Sequence, residues 1–217
     1  MVNSSIAIES IAKPTFKRQI VNIMKLNDTS TVLTFLKSRK SASAKAMTGP
    51  GPSKAQMDEI LEIAVRVPDH GKLAPWRFIL IEGEGRATIG EGFAQVWAKN
   101  NPSHGAESLD FQRGLFMRAP VILVVVSTAA VHGKIPVLEQ QMSSAAVCYN
   151  AVLAATALGF DAQWQSDWVA YDEAAKPVMA VGPHEKISGI IYIGTSSVPL
   201  EDRPRPDVST LLTRINS

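Results

Sequence analysis

The stretch Val121-Ile-Leu-Val-Val-Val-Ser127 is the strongest structural signal in this sequence of 217 residues. It is apolar at every position but the last, and it lacks the alternation of a half-exposed strand. Such a run predicts a strand that is buried on both faces. A strand of that kind needs an apolar layer on each side, so the surrounding sequence must supply helices that cover a sheet.

The segments outward from this strand mix the two periodicities. Apolar β-rich runs predict further strands at residues 76–81, 162–166 and 187–194. Capping residues and helical spacing predict helices at residues 29–40, from the Ser53-Lys-Ala-Gln56 capping box to Pro68, and at 86–99, 106–117, 136–158 and 171–180, with a last turn at 209–215. Only some strands are joined by single helices, which indicates an α+β fold, a sheet wrapped by helices.

The composition limits the classes of function open to the chain. It has 22 Lys and Arg against 20 Asp and Glu, and 46% apolar residues, which excludes a disordered chain and disfavours a nucleic-acid partner. The longest apolar stretch, residues 120–126, is too short to span a membrane. The single cysteine, Cys148, excludes an internal disulfide and fits a reducing, cytoplasmic compartment. We interpret residues 1–27 as an N-terminal extension, with Met24 as an alternative start, and residues 28–217 as one domain.

The segment Glu82-Gly83-Glu-Gly85-Arg-Ala-Thr88 follows a predicted strand and opens a helix, as a dinucleotide-binding glycine loop does. Thr88 stands where the third glycine belongs, and Glu82 and Glu84 would repel a pyrophosphate. The next clear strand begins only near Val121, so no βαβ unit follows. We therefore interpret the segment as a tight turn.

Two polar clusters are candidates for chemistry near the N-terminal half. Arg39-Lys40-Ser41 ends the first predicted helix, where the two cations either complement the helix dipole or form an anion site with the serine hydroxyl. Arg66-Val-Pro-Asp-His70, followed by Pro75-Trp76, crowds polar residues into a loop between two buried elements. Functional residues are common in loops of this kind, so we expect a site there.

The C-terminal half offers less specific candidates. Trp164-Gln165-Ser166 is either a core aromatic with a polar strand end or a stacking surface with hydrogen-bonding groups for a planar heterocycle. Arg203 and Arg205 lie in a Pro-rich tail and are either solvated or a second phosphate contact. Cys148 lies within a helix of small residues without a nearby His in sequence, which predicts an inert core thiol.

In this order, these segments resemble the nitroreductase family, especially its short branch of NAD(P)H-dependent nitroreductases. The resemblance covers roughly residues 29–199. Its motifs are Ser38-Arg-Lys-Ser-Ala-Ser43, Arg66-Val-Pro-Asp-His70 with Pro75-Trp76, Glu139-Gln-Gln-Met142, Gly159-Phe160, Trp164-Gln-Ser166 and Tyr192-Ile-Gly-Thr195. Each motif is weak alone, and their occurrence together in one order is specific.

The resemblance implies a nitroreductase-like α+β fold with a central mixed or antiparallel sheet, and an FMN-dependent homodimer with the flavin at the subunit interface. It also implies ping-pong hydride transfer from NADH or NADPH through FMN to nitroaromatic or quinone-like acceptors, without a metal. The implied FMN-binding residues are Arg39, Lys40, Ser41, Arg66, His70, Trp164, Gln165, Ser166 and Arg203, of which Arg66 and His70 reach the flavin of the other subunit. The implied NAD(P)-binding stretch is Ala154, Ala155, Thr156, Ala157, Leu158 and Gly159, which periodicity alone assigns to a core helix.

Two positions depart from the family pattern. The branch commonly has a second Arg where Lys40 stands, and it often has Arg where Gln165 stands. Each departure removes a guanidinium fork, which leaves the flavin potential and the choice of acceptor open. Three alternatives also stay open: a specialised flavin enzyme (a dehalogenase or a flavin-degrading enzyme, with residues 99–112 as a lid), a flavin-binding redox sensor without turnover, and a non-flavin binding module.

Overall fold

Five helices and five strands are formed by residues 25–215, the part of the chain that the computed structural model describes. The helices are α1 Val32–Ser38, α2 Lys54–Ala64, α3 Gly85–Asn100, α4 Ala106–Arg113 and α5 Val137–Ala157. The strands are β1 Met47–Thr48, β2 Trp76–Glu82, β3 Val121–Ser127, β4 Asp161–Gln165 and β5 Lys186–Ser196. The predicted N-terminal extension falls mainly on residues 1–24, outside the described residues. No helix between residues 25 and 215 is long and apolar enough to cross a membrane.

The sheet is antiparallel at every described pairing and is organised around β5. This strand pairs with β3, β4 and β1, and β3 pairs in turn with β2. The α+β prediction is therefore confirmed. Because β2 and β3 are antiparallel neighbours, the segment between them is not part of a βαβ unit. Gly83 instead forms a tight turn at φ +52° before α3 begins, as predicted.

The central strand β3 separates two apolar layers, as its unbroken apolar sequence predicts. All seven of its residues are buried. Val124 and Val126 pack into the layer under α3, which includes Phe93. Leu123 and Val125 pack into the opposite layer, with α2 and α5. The sheet is therefore covered by helices on both faces.

Two helix predictions need correction. The helix predicted at residues 171–180 is wrong, because the structure has one 3-10 turn just before this segment, Trp168–Ala170, and one inside it, Lys176–Met179. The Asp172 carboxylate accepts hydrogen bonds from two following backbone N–H groups, and Pro177 has no N–H to donate, so an α-helical ladder does not form. The helix predicted at residues 106–117 ends at Arg113 and gives way to another 3-10 turn.

The first helix is shorter than predicted, and the difference shapes the candidate site. It begins after Thr31, whose side chain caps the first turn, and ends at Ser38 instead of residue 40. Arg39 leaves the helix with ψ 125°, and the backbone N–H of Lys40 donates to Asn27 Oδ1 at 2.7 Å. This side-chain acceptor replaces the next helical hydrogen bond, so the polar cluster follows the helix rather than continuing it.

An ion pair joins β2 to the loop before β5. Arg77 Nε and Nη2 donate to the two carboxylate oxygens of Glu185 at 2.7 and 2.6 Å, and Gly182 N donates to the same carboxylate at 2.7 Å. The hydrogen bonds from Arg77 lower the pKa of Glu185 from 4.5 to about 2. The lowered pKa means that the ionised form is stabilised specifically in the folded chain.

The pair predicts a defined acid sensitivity. Because the pKa of Glu185 is lowered on folding, its contribution is complete above pH 4.5 and is lost as the pH falls towards about 2. We expect Glu185→Gln to be less stable than the parent at pH 7, with the difference shrinking over that window. Urea unfolding at a series of pH values measures it, with Glu82→Gln at an exposed strand end as the charge control. A Glu185→Gln deficit that is independent of pH would contradict this account.

Candidate functional site

Arg39 is half-buried and contacts two side chains. Its Nη1 donates to Ser41 Oγ at 3.1 Å, and its guanidinium carbon lies 5.9 Å from the centre of the Tyr149 ring on α5. Among residues 25–215, no carboxylate lies within 4.0 Å of a charged nitrogen of Arg39 or Lys40. The remaining donors of Arg39 are therefore oriented but unpaired by acids, which favours the anion-site reading over a helix-dipole role.

The C-terminal tail lies beside the same cluster. Burial raises the pKa of Asp202, but the backbone N–H of Arg203, the Arg205 guanidinium and the charge of Lys40 lower it overall. Arg205 pairs with Asp202 at 2.7 Å. Arg203 is exposed, and its guanidinium contacts only the carbonyl oxygen of the next residue, at 3.5 Å, within the described chain. Arg203, which is predicted to bind FMN, therefore has no acidic partner among the described residues, whereas Arg205 has one.

Trp164 lies on the face of the sheet that α5 covers. It sits in β4 opposite Ile191 of β5, and its indole covers Gly189, where a side chain would collide with Trp164 Nε1. Trp164 as a whole residue remains 39% exposed, so it is not closed off from solvent. Gln165 is the last residue of β4, and Ser166 follows it as an exposed residue.

Cys148 is a buried thiol on α5, directly beneath this position. A Cβ built on Gly189 would lie 2.9 Å from its Sγ, which shows how closely α5 approaches β5. Burial raises the pKa of the thiol to about 12. The predicted position of Cys148 in the core is therefore confirmed. The raised pKa disfavours the reactive thiolate at neutral pH, in line with the prediction of an inert thiol.

The segment with Arg66 and His70 is fixed along α5 by three helix side chains. Asn150 Nδ2 donates to the carbonyl oxygens of Ile63 and Arg66 at 2.6 and 3.3 Å. Ser143 Oγ donates to Pro68 O at 2.6 Å, and Glu139 Oε2 lies 2.7 Å from His70 Nδ1. The loop therefore follows the helix for three turns.

Three contacts place predicted FMN residues relative to α5. Arg39 lies beside Tyr149, and Trp164 lies over Gly189 next to Cys148. The loop of Arg66 and His70 runs along Glu139, Ser143 and Asn150. Among residues 25–215, no hydrogen bond or ion pair joins Arg66 or His70 to the other predicted FMN residues, so the single chain does not bring them all into one closed pocket.

The predicted NAD(P) stretch closes α5. Ala154, Ala155 and Thr156 are buried, and the Thr156 hydroxyl donates to Val152 O at 2.8 Å. The remaining members are more accessible: Ala157 and Gly159 are exposed, and Leu158 is half-buried. Gly159 ends the helix at φ +89°, a conformation that favours glycine. The role of the stretch in NAD(P) binding stays a prediction.

An open cleft of about 500 Å³ lies on the opposite face of the sheet. It is lined by Trp97, Asn100, Asn101, Trp168, Tyr171 and Asp172. Trp168 belongs to the apolar layer of α3, whereas Trp164 belongs to the side of α5. The cleft therefore contains none of the predicted flavin residues, although it includes the start of the segment 99–112 that we considered as a lid.

Comparison with known proteins assigns the chain to a family. The model of the nitroreductase family matches residues 36–195. The chain belongs to the nitroreductase family. Over 165 residues it is 34% identical to "Putative NAD(P)H nitroreductase YdjA" of Escherichia coli (strain K12), with 75% of this chain and 87% of that protein covered. A Haemophilus influenzae protein of the same description is 34% identical over 164 residues, with the same coverage.

Solved structures of the nitroreductase family share the fold. A nitroreductase-like family protein from Bacillus cereus superposes with a TM-score of 0.73 at 21% identity, covering 87% of this chain and 97% of that one. A nitroreductase with bound FMN from Bacteroides fragilis superposes with a TM-score of 0.63 at 19% identity, covering 85% and 98%. The fold and oxidoreductase family implied by the sequence motifs are therefore confirmed.

Three residues that contact or accommodate the predicted site residues were not themselves predicted to be site residues. Tyr149 contacts Arg39, and Glu139 contacts His70. Gly189 has no side chain and so leaves the space that the Trp164 indole fills. Glu139 was visible as the first residue of a family motif, and the bulky Tyr149 stands out in a helix of small residues. Gly189 interrupts a β-branched strand, which is a signal of close approach.

The space above Gly189 predicts how Trp164 can be displaced. We expect Gly189→Ala to destabilise the fold by about 1–3 kcal/mol, because the new methyl group collides with the Trp164 indole and with Cys148. Urea unfolding gives the stability, and tryptophan fluorescence reports the move of the indole. Gly133→Ala is the control, since its methyl group meets nothing within 4 Å. Equal stabilities of the two variants would show that Trp164 does not occupy this position.

Proposed function

We propose that this protein is an FMN-dependent NAD(P)H oxidoreductase that acts as a homodimer on nitroaromatic or quinone-like acceptors. The observation that carries the proposal is the Arg39 guanidinium, which contacts Ser41 and Tyr149 and has no carboxylate partner among the described residues. Relatives named as NAD(P)H nitroreductases and an FMN-bound structural neighbour support the same cofactors.

The donor set fits the chemical groups of FMN. A phosphate needs cationic and hydroxyl donors, and Arg39, Lys40 and Ser41 supply them at one point of the surface. A flavin ring needs a flat apolar surface with polar groups beside it. The partly exposed indole of Trp164, followed by Gln165 and Ser166, has this character.

Bound FMN would supply the two-electron chemistry, taking a hydride from NAD(P)H and giving the electrons to the acceptor in a second half-reaction. The residues of the chain bind and orient. Arg39 and Ser41 hold the phosphate end, and the Trp164 segment limits access to the ring. Cys148, with its pKa raised to about 12, takes no part in electron transfer. The common family pattern has an Arg at each of the positions of Lys40 and Gln165. Lys40 keeps the positive charge and Gln165 does not, so the proposed site has one cation fewer than that pattern.

A second copy of the chain would complete the site. Leu138, Met142 and Tyr149 lie on one stripe of α5 and are 65%, 63% and 45% exposed. Large apolar side chains exposed along a central helix favour an interface. Because this stripe borders the one that holds the Arg66–His70 loop, a partner docked there would place its flavin near Arg66 and His70. We propose a cytoplasmic location for this dimer, in line with its single, reduced cysteine.

The visible absorption spectrum tests the proposal. We expect the protein, purified or reconstituted with FMN, to show bound-flavin bands that bleach under anaerobic NADH or NADPH and return with a quinone or a nitroaromatic. A protein that binds no FMN even after its addition would contradict the flavoprotein assignment. Bound flavin that neither nucleotide bleaches would instead favour a flavin-binding sensor.

Arg39 makes the most specific prediction for cofactor binding. We expect Arg39→Ala to weaken FMN binding by about 1.5–3 kcal/mol, because a charged hydrogen bond to the phosphate is lost. Fluorescence titration of the cofactor-free protein with FMN measures the affinity. Lys37→Ala, which removes an exposed cation from the last turn of α1, is the control for net charge. Equal affinities of the two variants would remove Arg39 from the site.

A further inference from the structure

The first turn of α5 carries a motif whose chemistry the proposed function leaves unexplained. Glu139 Oε2 lies 2.7 Å from His70 Nδ1, across 69 residues of sequence. The two side chains are 47% and 64% exposed in the single chain, so burial does not force them together. The contact therefore needs another cause, and the surrounding backbone provides one.

Both partners stand on rigid backbone. The Gln140 side chain donates to Ala130 O at 2.8 Å and to Ile135 O at 3.2 Å, which fixes the start of α5 to the preceding loop. Gly71, next to His70, has φ +75° and lies so close to Ile135 that a side chain there would collide with it. The turn that carries His70 therefore packs against Ile135, and the same residue is hydrogen-bonded to the start of α5, where Glu139 lies.

The contact leaves one ring nitrogen for a ligand. Nδ1 is engaged by the carboxylate, so only Nε2 of His70 is free to meet another group. A carboxylate that engages one imidazole nitrogen fixes the orientation of the ring and the identity of the free nitrogen.

We propose that Glu139 is a positioning residue that presents His70 Nε2 to the FMN of the partner subunit. The inference rests on the proposed function and deepens it. Glu139 itself touches no cofactor; it acts through His70. A purely structural alternative exists, because an acidic residue in the first turn of a helix also stabilises that helix through its dipole. The experiment must separate these two roles.

A double-mutant cycle on FMN affinity distinguishes positioning of His70 from stabilisation of the helix. We expect Glu139→Ala to raise the Kd for FMN about tenfold, as for loss of a charged hydrogen bond that orders a ligand contact. In the His70→Ala background the same change should add less than about twofold, because the two residues act as one unit. Glu139→Gln should keep most of the affinity, since its amide oxygen still accepts from Nδ1–H.

Ser143→Ala is the matched structural control. It removes the hydrogen bond to Pro68 O from the same helix stripe, but it leaves the contact between Glu139 and His70 in place. We expect a loss of folding stability without the coupling to His70 that Glu139→Ala shows. Coupling to His70 in the control and in Glu139→Ala alike would assign the effect to the loop as a whole and overturn the inference.

A second readout needs no cofactor. Nitrogen NMR of the imidazole in cofactor-free protein reports which ring nitrogen carries the proton, and we expect Nδ1–H in the parent and redistribution to Nε2 in Glu139→Ala. Two results would overturn the inference and leave the proposed function intact. One is ring signals that do not change in Glu139→Ala. The other is an effect of Glu139→Ala on the Kd for FMN that is equal with and without His70. A parent protein that binds no FMN would overturn both.

Discussion

The packing of α5 against the sheet is the constraint on which the candidate site depends. Ser144, Cys148, Ala151 and Ala155 form one stripe of the helix, and all four are buried. Their small side chains let the helix approach β5 so closely that Gly189 meets Cys148. At 100° per residue, the stripe that holds the His70 loop and the stripe with Leu138, Met142 and Tyr149 lie about 120° to either side. The three stripes of α5 therefore determine on which side of the helix each of these groups lies.

The three stripes place the predicted site residues on three sides of α5. The sheet-facing stripe lies beside Gly189 and Trp164, and the apolar stripe carries Tyr149 next to Arg39. The third stripe carries the loop of Arg66 and His70. In the proposed homodimer, a two-fold axis would bring the Arg66–His70 loop of one chain towards the Arg39 side of the other.

Much of the fold was predictable because its signals are local. The unbroken apolar run of β3 predicted a doubly covered strand, and the capping box at Ser53 predicted the start of α2. The errors occurred where side chains compete with the helical ladder. Asp172 and Pro177 replaced a predicted helix by turns, and Asn27 captured the N–H of Lys40. The Asn27 contact joins two segments and cannot be derived from helical periodicity. The Asp172 turn and Pro177 are local, but a pattern of apolar positions does not weigh a side chain that competes for backbone N–H groups.

The site was predictable as a set of motifs but not as an arrangement. Family motifs named Arg39, His70 and Trp164, and the structure adds the residues that hold each of them. The partner of His70 is 69 residues away, and the space for Trp164 is a missing side chain on another strand. Relations of this kind are properties of tertiary structure.

The central claim, that each flavin site is shared between two chains, is tested by mixing Arg39→Ala and Arg66→Ala subunits. Each variant alone carries a defect in both of its sites. If the subunits are unfolded, mixed in equal amounts and refolded, the shared-site account predicts that roughly a quarter of all sites regain parent-like FMN affinity, because each mixed dimer has one intact site. Mixed samples that bind FMN no better than the separate variants would contradict the account and place Arg39 and Arg66 around the same flavin within one chain.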